Sequence, residues 1–326
     1  MVPVIRGYTR TVELPERKRR AVNDAVLVWY RREHRDLPWR HTRDPYLVLV
    51  SEVMLQQTQV ERVLPKFAAW RASFPSLESL AAAPRAEVIR SWSGLGYNLR
   101  AVRLHEIARQ VVERFGGTLP DTLEGLLSLK GIGRYTAGAV LCFAYGQPAP
   151  VLDTNVRRVL GRVFAAESSA AIDDDRLAWP LAEAARPRAT DVYDWNQALM
   201  DVGATICLSR NPRCVLCPAQ EDCTARKEWF APDASDGANG RKRGRLVAER
   251  RESYTPRKPK QGKFEGSRRW YRGRIVEVLR ASPEGIAVDE LAARVELDEA
   301  MSRAVVDGLT RDGLVEVDGD VARLPR

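Results

Sequence analysis

Apolar residues recur at three- and four-residue intervals through most of the chain up to Trp229, the spacing that lines one face of a helix. The pattern predicts helices over Ala21–Glu33, Tyr46–Gln57, Val60–Arg71, Leu99–Arg114, Thr122–Leu129 and Arg134–Tyr145. Breakers separate them: Leu37-Pro38-Trp39, Phe74-Pro75-Ser76, Gly94-Leu95-Gly96, Gly116-Gly117, Gly131-Ile132-Gly133 and Gln147-Pro148. Strand-like alternation is absent here, so the class is all-α. Periodicity fails between residues 230 and 267, where Asp, Gly, Arg, Lys, Pro and Ser dominate, and this stretch reads as a linker. Order returns with helices over Arg269–Arg280, Val288–Val295 and Glu299–Asp312. A β-hairpin follows, Leu314–Val317 and Val321–Leu324 joined by Asp318-Gly319-Asp320.

Three helices followed by a hairpin make the segment 268–326 resemble a winged helix, a small α+β module used for DNA binding or protein docking. Charge strengthens the first use. The chain carries +9 overall, yet Gly240–Arg274 alone holds fourteen Lys and Arg against three Glu, leaving the remainder at −2. So short a basic run is either a solvated linker or a contact for a polyanion, nucleic acid above all. No apolar stretch reaches the 18 residues of a membrane span. The basic segment Met1–Arg20 lacks the apolar core of a signal peptide. A cytoplasmic protein with no membrane partner is expected, and nothing demands more than a monomer.

Five cysteines are too few for a secreted disulfide framework in 326 residues, and four of them cluster. Cys207, Cys214, Cys217 and Cys223 follow the pattern C-x6-C-x2-C-x5-C in a turn-rich segment. Four such thiolates suit a tetrahedral zinc or a cubane iron–sulfur cluster. Cys142, inside Ala139-Val140-Leu141-Cys142-Phe143, reads as a small core residue.

Lys130-Gly131-Ile132-Gly133 joins two predicted helices. Its two glycines allow a tight turn that brings backbone N–H groups to the surface, and Arg134 opens the next helix, whose N-terminal end is positive. Such a hairpin binds a phosphate without reading sequence. An acid, Asp153, follows in Val151-Leu152-Asp153-Thr154-Asn155-Val156.

Helix–hairpin–helix, then a Gly/Pro-rich segment, then Asp resembles the signature of the endonuclease III superfamily. Further motifs resemble its adenine-specific branch, the MutY-type adenine DNA glycosylases: Leu37-Pro38-Trp39-Arg40, Ser51-Glu52-Val53-Met54-Leu55-Gln56-Gln57-Thr58, Gly94-Leu95-Gly96-Tyr97, and the run from Asp194 to Ala204. The likeness spans Ala21 to Trp229. It implies a two-module helix–hairpin–helix fold with a cluster loop. Residues 1–42 and 150–229 would form the cluster module, 43–149 a six-helix module, 230–267 a basic linker and 268–326 the winged-helix-like addition.

The resemblance also implies roles. Cys207, Cys214, Cys217 and Cys223 would hold a 4Fe–4S cluster, which pins a loop bearing Arg210 and Arg213 against phosphates. The partner would be double-stranded DNA with a mismatched or damaged base pair, and the reaction hydrolysis of adenine opposite 8-oxoguanine or guanine. Adenine must leave as a neutral base, so an acid has to supply a proton. Glu52, in an apolar helix, is expected to have a raised pKa and to protonate N7. Asp153, ionised, would stabilise the oxocarbenium-like sugar or trap it. Tyr135 fills the slot where bifunctional relatives carry a Schiff-base lysine, so a monofunctional enzyme is expected. Tyr135 and Asn155 would position Asp153 and the sugar or water. Lys130, Gly131, Gly133 and Arg134 would hold phosphate. Gln57 and Tyr97 would wedge into the duplex beside the orphaned base, with Trp39, Arg40 and Gln197 lining the adenine pocket.

Two features depart from that branch. Its usual C-terminal Nudix-like domain has no counterpart here, and Asn98 stands where an aromatic commonly follows Tyr97. Both leave the opposing base open. A thymine or uracil glycosylase acting on G mismatches, or a DNA-binding regulator without activity, are the rival readings. The Glu52 motif with its paired glutamines opposes the first, and the intact set of Glu52, Tyr135 and Asp153 opposes the second.

Overall fold

The computed structural model describes residues 12–165, 174–230 and 263–326. Fifteen α-helices and three short strands are numbered here among those residues. Most of the predicted basic linker, 231–262, lies outside them. The chain divides into two compact units, Met1–Leu37 with Leu141–Arg257, and Pro38–Val140 with Lys258–Arg326.

The first unit contains α1 (Glu16–Glu33), α9 (Thr154–Leu160), α10 (Asp175–Ala184), α11 (Val192–Thr205) and α12 (Thr224–Trp229). α1 begins more than a turn before the apolar period does, because Glu16 pairs with Arg19 and Arg20 at i+3 and i+4. Its apolar face, with Val22, Val26 and Leu27, packs among Val156, Trp195, Ala198 and Val202. Gly203 is a necessity of that packing. A Cβ there would lie 2.8 Å from the Asn155 Cβ and 3.3 Å from its carbonyl, so only glycine lets α9 and α11 approach. A π-helical turn, Gly161–Ala165, extends α9.

The second unit opens with a 3-10 turn at Pro38–Arg40 and runs through α2 (Pro45–Leu55), α3 (Val60–Ser73), α4 (Leu77–Ala82), α5 (Arg85–Ser91), α6 (Leu99–Phe115) and α7 (Leu123–Leu127). It then enters α8 (Arg134–Phe143), which continues into the first unit. α2 starts where Asp44 caps it, accepting from the Tyr46 N–H at 2.9 Å, with Pro45 preset in the first turn. It is apolar nearly all round and buried from Tyr46 to Met54, as a central helix must be. The short helix α4 carries no long period. It is fixed by a reciprocal capping box between Ser76 and Ser79.

The last segment contributes α13 (Arg268–Arg280), β1 (Ile286–Ala287), α14 (Val288–Arg294), α15 (Glu299–Arg311), β2 (Glu316–Asp318) and β3 (Val321–Arg323). The three strands form an antiparallel sheet in the order β1-β3-β2, with Gly319 at φ +57° turning the hairpin. β1 is too short to show as alternation. The module's core, including Ile275, Leu279, Leu291 and Val305, is continuous with Ala86 and Ile89 of α5 and Val102 of α6. The Ala86 N–H donates to the Pro325 carbonyl at 2.8 Å. The module is therefore built onto the preceding helices.

Candidate active site

Glu52 projects from the most apolar helix of the second unit and is 5 % exposed. A carboxyl so placed needs a donor. The Tyr135 hydroxyl, from the first turn of α8, donates to its Oε2 at 2.5 Å. The bond ties Tyr135 to Glu52, beside the role at Asp153 that the resemblance implies for it.

Just beyond the end of α2 the backbone turns sharply, with Gln57 at φ +56°. The facing loop places Tyr97 at φ +47°, half exposed. A left-handed backbone costs a non-glycine residue about 1–2 kcal/mol, and such strain gathers where function fixes geometry. Arg100 holds both turns. Its Nη1 donates to the carbonyls of Val53, Met54 and Gln56 at 2.6–3.0 Å, and its Nη2 to Thr58 Oγ1, Leu95 O and Gly96 O at 3.0–3.1 Å. The guanidinium also lies over the Trp92 and Tyr97 rings at 5.3 and 5.6 Å. Burial lowers its pKa to about 10, still well above neutrality. Sequence reading missed Arg100, although a signal existed: it stands four residues before Leu104 on the apolar face of α6.

Asn98 acquires a reason. Its Oδ1 accepts from Nη2 of Arg280 on α13 at 3.0 Å, and the same guanidinium donates to the Ile89 carbonyl. The residue after Tyr97 thus docks the C-terminal module, a task an aromatic ring could not perform.

The predicted hairpin is exposed at Lys130, Gly131 and Gly133, and Ile132 is its buried anchor. Gly131 sits at φ +110°, a conformation open only to glycine, and a Cβ there would press on Ile107 at 3.3 Å. Gly133 meets no such constraint. Trp39 is 7 % exposed and stacks edge-on against Phe67, centroids 5.6 Å apart, so its ring serves the core. Arg40 is half-buried on the same turn.

In the first unit, Asp153 caps α9. Its Oδ1 accepts from the Val156 N–H at 2.7 Å and its Oδ2 from Asn155 Nδ2 at 3.3 Å. Desolvation nevertheless prevails over these donors and over the nearby Arg158, and raises the Asp153 pKa. Asn155 is itself held by Arg158 Nη2, 2.8 Å from Oδ1, and that guanidinium also donates to the Gly203 and Cys207 carbonyls. Gln197 is buried on α11.

Cys207, Cys214, Cys217 and Cys223 line one cavity together with Arg162, Ile206 and Trp229. Among the described residues no group of three or more His, Cys, Asp and Glu side chains is arranged to hold a metal ion. The donor set still suits an anionic metal–sulfur centre. Burial above all, with the charges of the other three sulfurs adding to it, pushes the Cys217 thiol up to about 12. Such mutual repulsion is relieved when a metal takes the place of the protons. Arg162 donates to Cys207 Sγ at 3.5 Å and to the carbonyls of Leu208 and Ser209. Arg210 and Arg213 are exposed on the same loop.

Residues 50–179 match the family described as HhH-GPD superfamily base excision DNA repair protein. The adenine DNA glycosylase of Mycobacterium tuberculosis (strain ATCC 25618 / H37Rv) is 38 % identical over 301 residues, 91 % of each chain. That span necessarily takes in part of the C-terminal module. The Homo sapiens adenine DNA glycosylase is 46 % identical over 222 residues, 64 % of this chain and 40 % of that one. Among solved structures, a thermostable thymine-DNA glycosylase superposes with a TM-score of 0.60 at 32 % identity, covering 65 % of this chain and 98 % of that one.

Proposed function

The chain belongs to the adenine DNA glycosylase family, a base excision repair branch of the HhH-GPD superfamily, and from that premise we propose that it hydrolyses adenine opposite 8-oxoguanine or guanine without cutting the strand. The buried Glu52, held by Tyr135, carries this reading.

Glu52 donates its proton to N7 of the extruded adenine. The glycosidic bond breaks with its electron pair passing to the base, which departs neutral. Positive charge then grows on the sugar, and the Asp153 carboxylate stabilises it. Water adds at the anomeric carbon and gives its proton to solvent, from which Glu52 is reprotonated, leaving an abasic site. Tyr135 offers no amine, so no Schiff base forms and the backbone stays intact. Tyr135 holds Glu52, and Asn155 holds Asp153. Gln57 and Tyr97 fill the vacated stack, the hairpin from Lys130 to Arg134 grips phosphate, and Trp39, Arg40 and Gln197 line the adenine pocket.

Cys207, Cys214, Cys217 and Cys223 would hold a 4Fe–4S cluster. Its contribution would be to fix the loop bearing Arg210 and Arg213, since hydrolysis transfers no electron. The protein acts as a monomer in the cytoplasm on mismatched or damaged duplex DNA.

The test is a single-turnover assay on A:8-oxoguanine, A:G, T:G and U:G duplexes, with and without alkali. Adenine release that yields strand breaks only after alkali is expected. Breaks without alkali would exclude the monofunctional reaction. Excision confined to T:G and U:G would favour the thymine reading instead, with which Tyr135 is also compatible.

A further inference from the structure

A cleft of about 770 Å³ opens between the loop of Gln57 and Tyr97 and helix α13, within the size range that receives ligands. Besides the buried Arg100, four arginines line it: Arg62 and Arg103 from the glycosylase helices, Arg269 and Arg272 from α13. They face a single carboxylate, Asp312, which is paired with Arg272. Two open rings complete the lining. Tyr97 is 48 % exposed and Phe264 55 % exposed, and the Arg269 guanidinium lies over the Phe264 ring at 5.1 Å.

Cations interleaved with open aromatic faces are the chemistry of unstacked nucleic acid: the cations track phosphates and the rings receive bases. The C-terminal module as a whole is not cationic. Residues 263–326 carry eleven Lys and Arg against thirteen Asp and Glu. In the winged-helix reading of the module, helix α15 takes the place of the groove-reading helix. Its charges, Glu299, Arg303, Asp307 and Arg311, sum to zero. Helix α13 has five arginines and one glutamate. Two of those five, Arg269 and Arg272, line the cleft, and Arg280 fixes α13 beside it through Asn98, the neighbour of Tyr97.

We propose that this cleft binds the DNA strand opposite the excised adenine, its arginines on the phosphates and its two rings against a base left without a partner. The proposal rests on the glycosylase reading for the strand assignment. Glu52 and the Gly131–Gly133 hairpin, which would take the adenine and its own strand, do not line the cleft, whereas the two wedge residues do.

Deleting the module would be a poor test, since it would bare Ala86, Ile89 and Val102. Point variants of the full chain serve better. Affinity for an A:G duplex carrying a non-hydrolysable 2′-fluoro-adenosine is measured by fluorescence anisotropy over a range of salt. Arg103→Ala and Arg269→Ala are compared with an α15 control, Arg303→Ala/Arg311→Ala. Arg103 is exposed on α6, so its variant tests the cleft even if Arg269→Ala disturbs Phe264. Each cleft variant should bind roughly 3- to 10-fold more weakly, with a salt slope lower by about one, while the control binds as wild type. Neutral methylphosphonate linkages in the strand opposite the adenine should weaken wild type equally and leave the cleft variants unchanged. The proposal is overturned by cleft variants that bind like wild type, by losses that add to those from the methylphosphonates, or by an equal loss in the α15 control. A protein that binds in this pattern but never releases adenine would refute the enzymatic reading and leave the cleft assignment standing.

Discussion

The Tyr135 hydroxyl donates to Glu52 Oε2 at 2.5 Å, joining the first turn of α8 to the middle of α2. One residue thereby meets two needs. It satisfies a carboxyl buried among apolar side chains, and under the proposed function it puts a phenol where a lyase would need a lysine. Tyr135→Phe keeps the ring and removes the donor. Single-turnover adenine release should fall about 10- to 100-fold, with duplex affinity unchanged. Glu52→Gln should abolish release while still binding. Full turnover by the glutamine variant would remove Glu52 as the acid.

Arg100 is a positioning residue, and its prediction concerns folding as much as turnover. It satisfies five carbonyls and one hydroxyl around the turns of Gln57 and Tyr97. Arg100→Met leaves those acceptors buried and should destabilise the protein by roughly 3–5 kcal/mol. Lysine keeps the charge but cannot span both sets of carbonyls, so Arg100→Lys should recover only part of the loss. Denaturant melts of both variants check this. Equal stability of methionine and wild type would show that the turns hold themselves.

The helical class, most helix bounds and the C-terminal hairpin were legible because they follow from period and turn chemistry. What escaped were features set by contact. α4 rests on two serines capping each other, and the strand Ile286–Ala287 exists only because β3 pairs with it. Buried arginines were the largest gap. Arg100, Arg158 and Arg162 look like surface charges in a sequence, and only their carbonyl partners, distant in the chain, make them internal struts. The candidate acids were found by motif. That Tyr135 would serve Glu52 depends on how α8 meets α2, which no local pattern encodes.

Gly203 offers a test of the Asp153 side. A methyl group there would meet Asn155 Cβ at 2.8 Å and force α9 away from α11. Gly203→Ala should cost about 1–3 kcal/mol of stability. Because Asn155 donates to Asp153, adenine release at a temperature where the variant is fully folded should also fall, about tenfold or more. Normal release by the folded variant would mean that the Asn155–Asp153 geometry tolerates the shift.

The four cysteines predict a metal content. Purified aerobically, the protein should be yellow-brown with about four irons per chain, as a cubane centre requires. Cys217→Ser should lose iron and melt at lower temperature, since the cavity it lines would lose a ligand. A colourless protein with one zinc would replace the cluster assignment.

Asp153 links stability to pH with a definite sign. Burial raises its pKa in the folded protein above the unfolded value near 3.8. Below the unfolded value the group is protonated in both states and costs nothing. As pH rises through the folded pKa, the folded state must carry a charge that it solvates poorly, and stability is lost. The acidic side chain is therefore a liability in the fold above the unfolded pKa, kept for the cation it would face in the proposed reaction. Asp153→Asn can still cap α9 and should melt at a higher temperature than wild type at pH 7. The gain should shrink as pH falls, and adenine release should be lost throughout. In the wild type the acid limb of the pH–rate profile should lie above the range of an ordinary aspartate, because the carboxylate form is the one required. An asparagine variant less stable than wild type at neutral pH, with the difference unchanged in acid, would mean that the carboxylate's hydrogen bonds outweigh its burial.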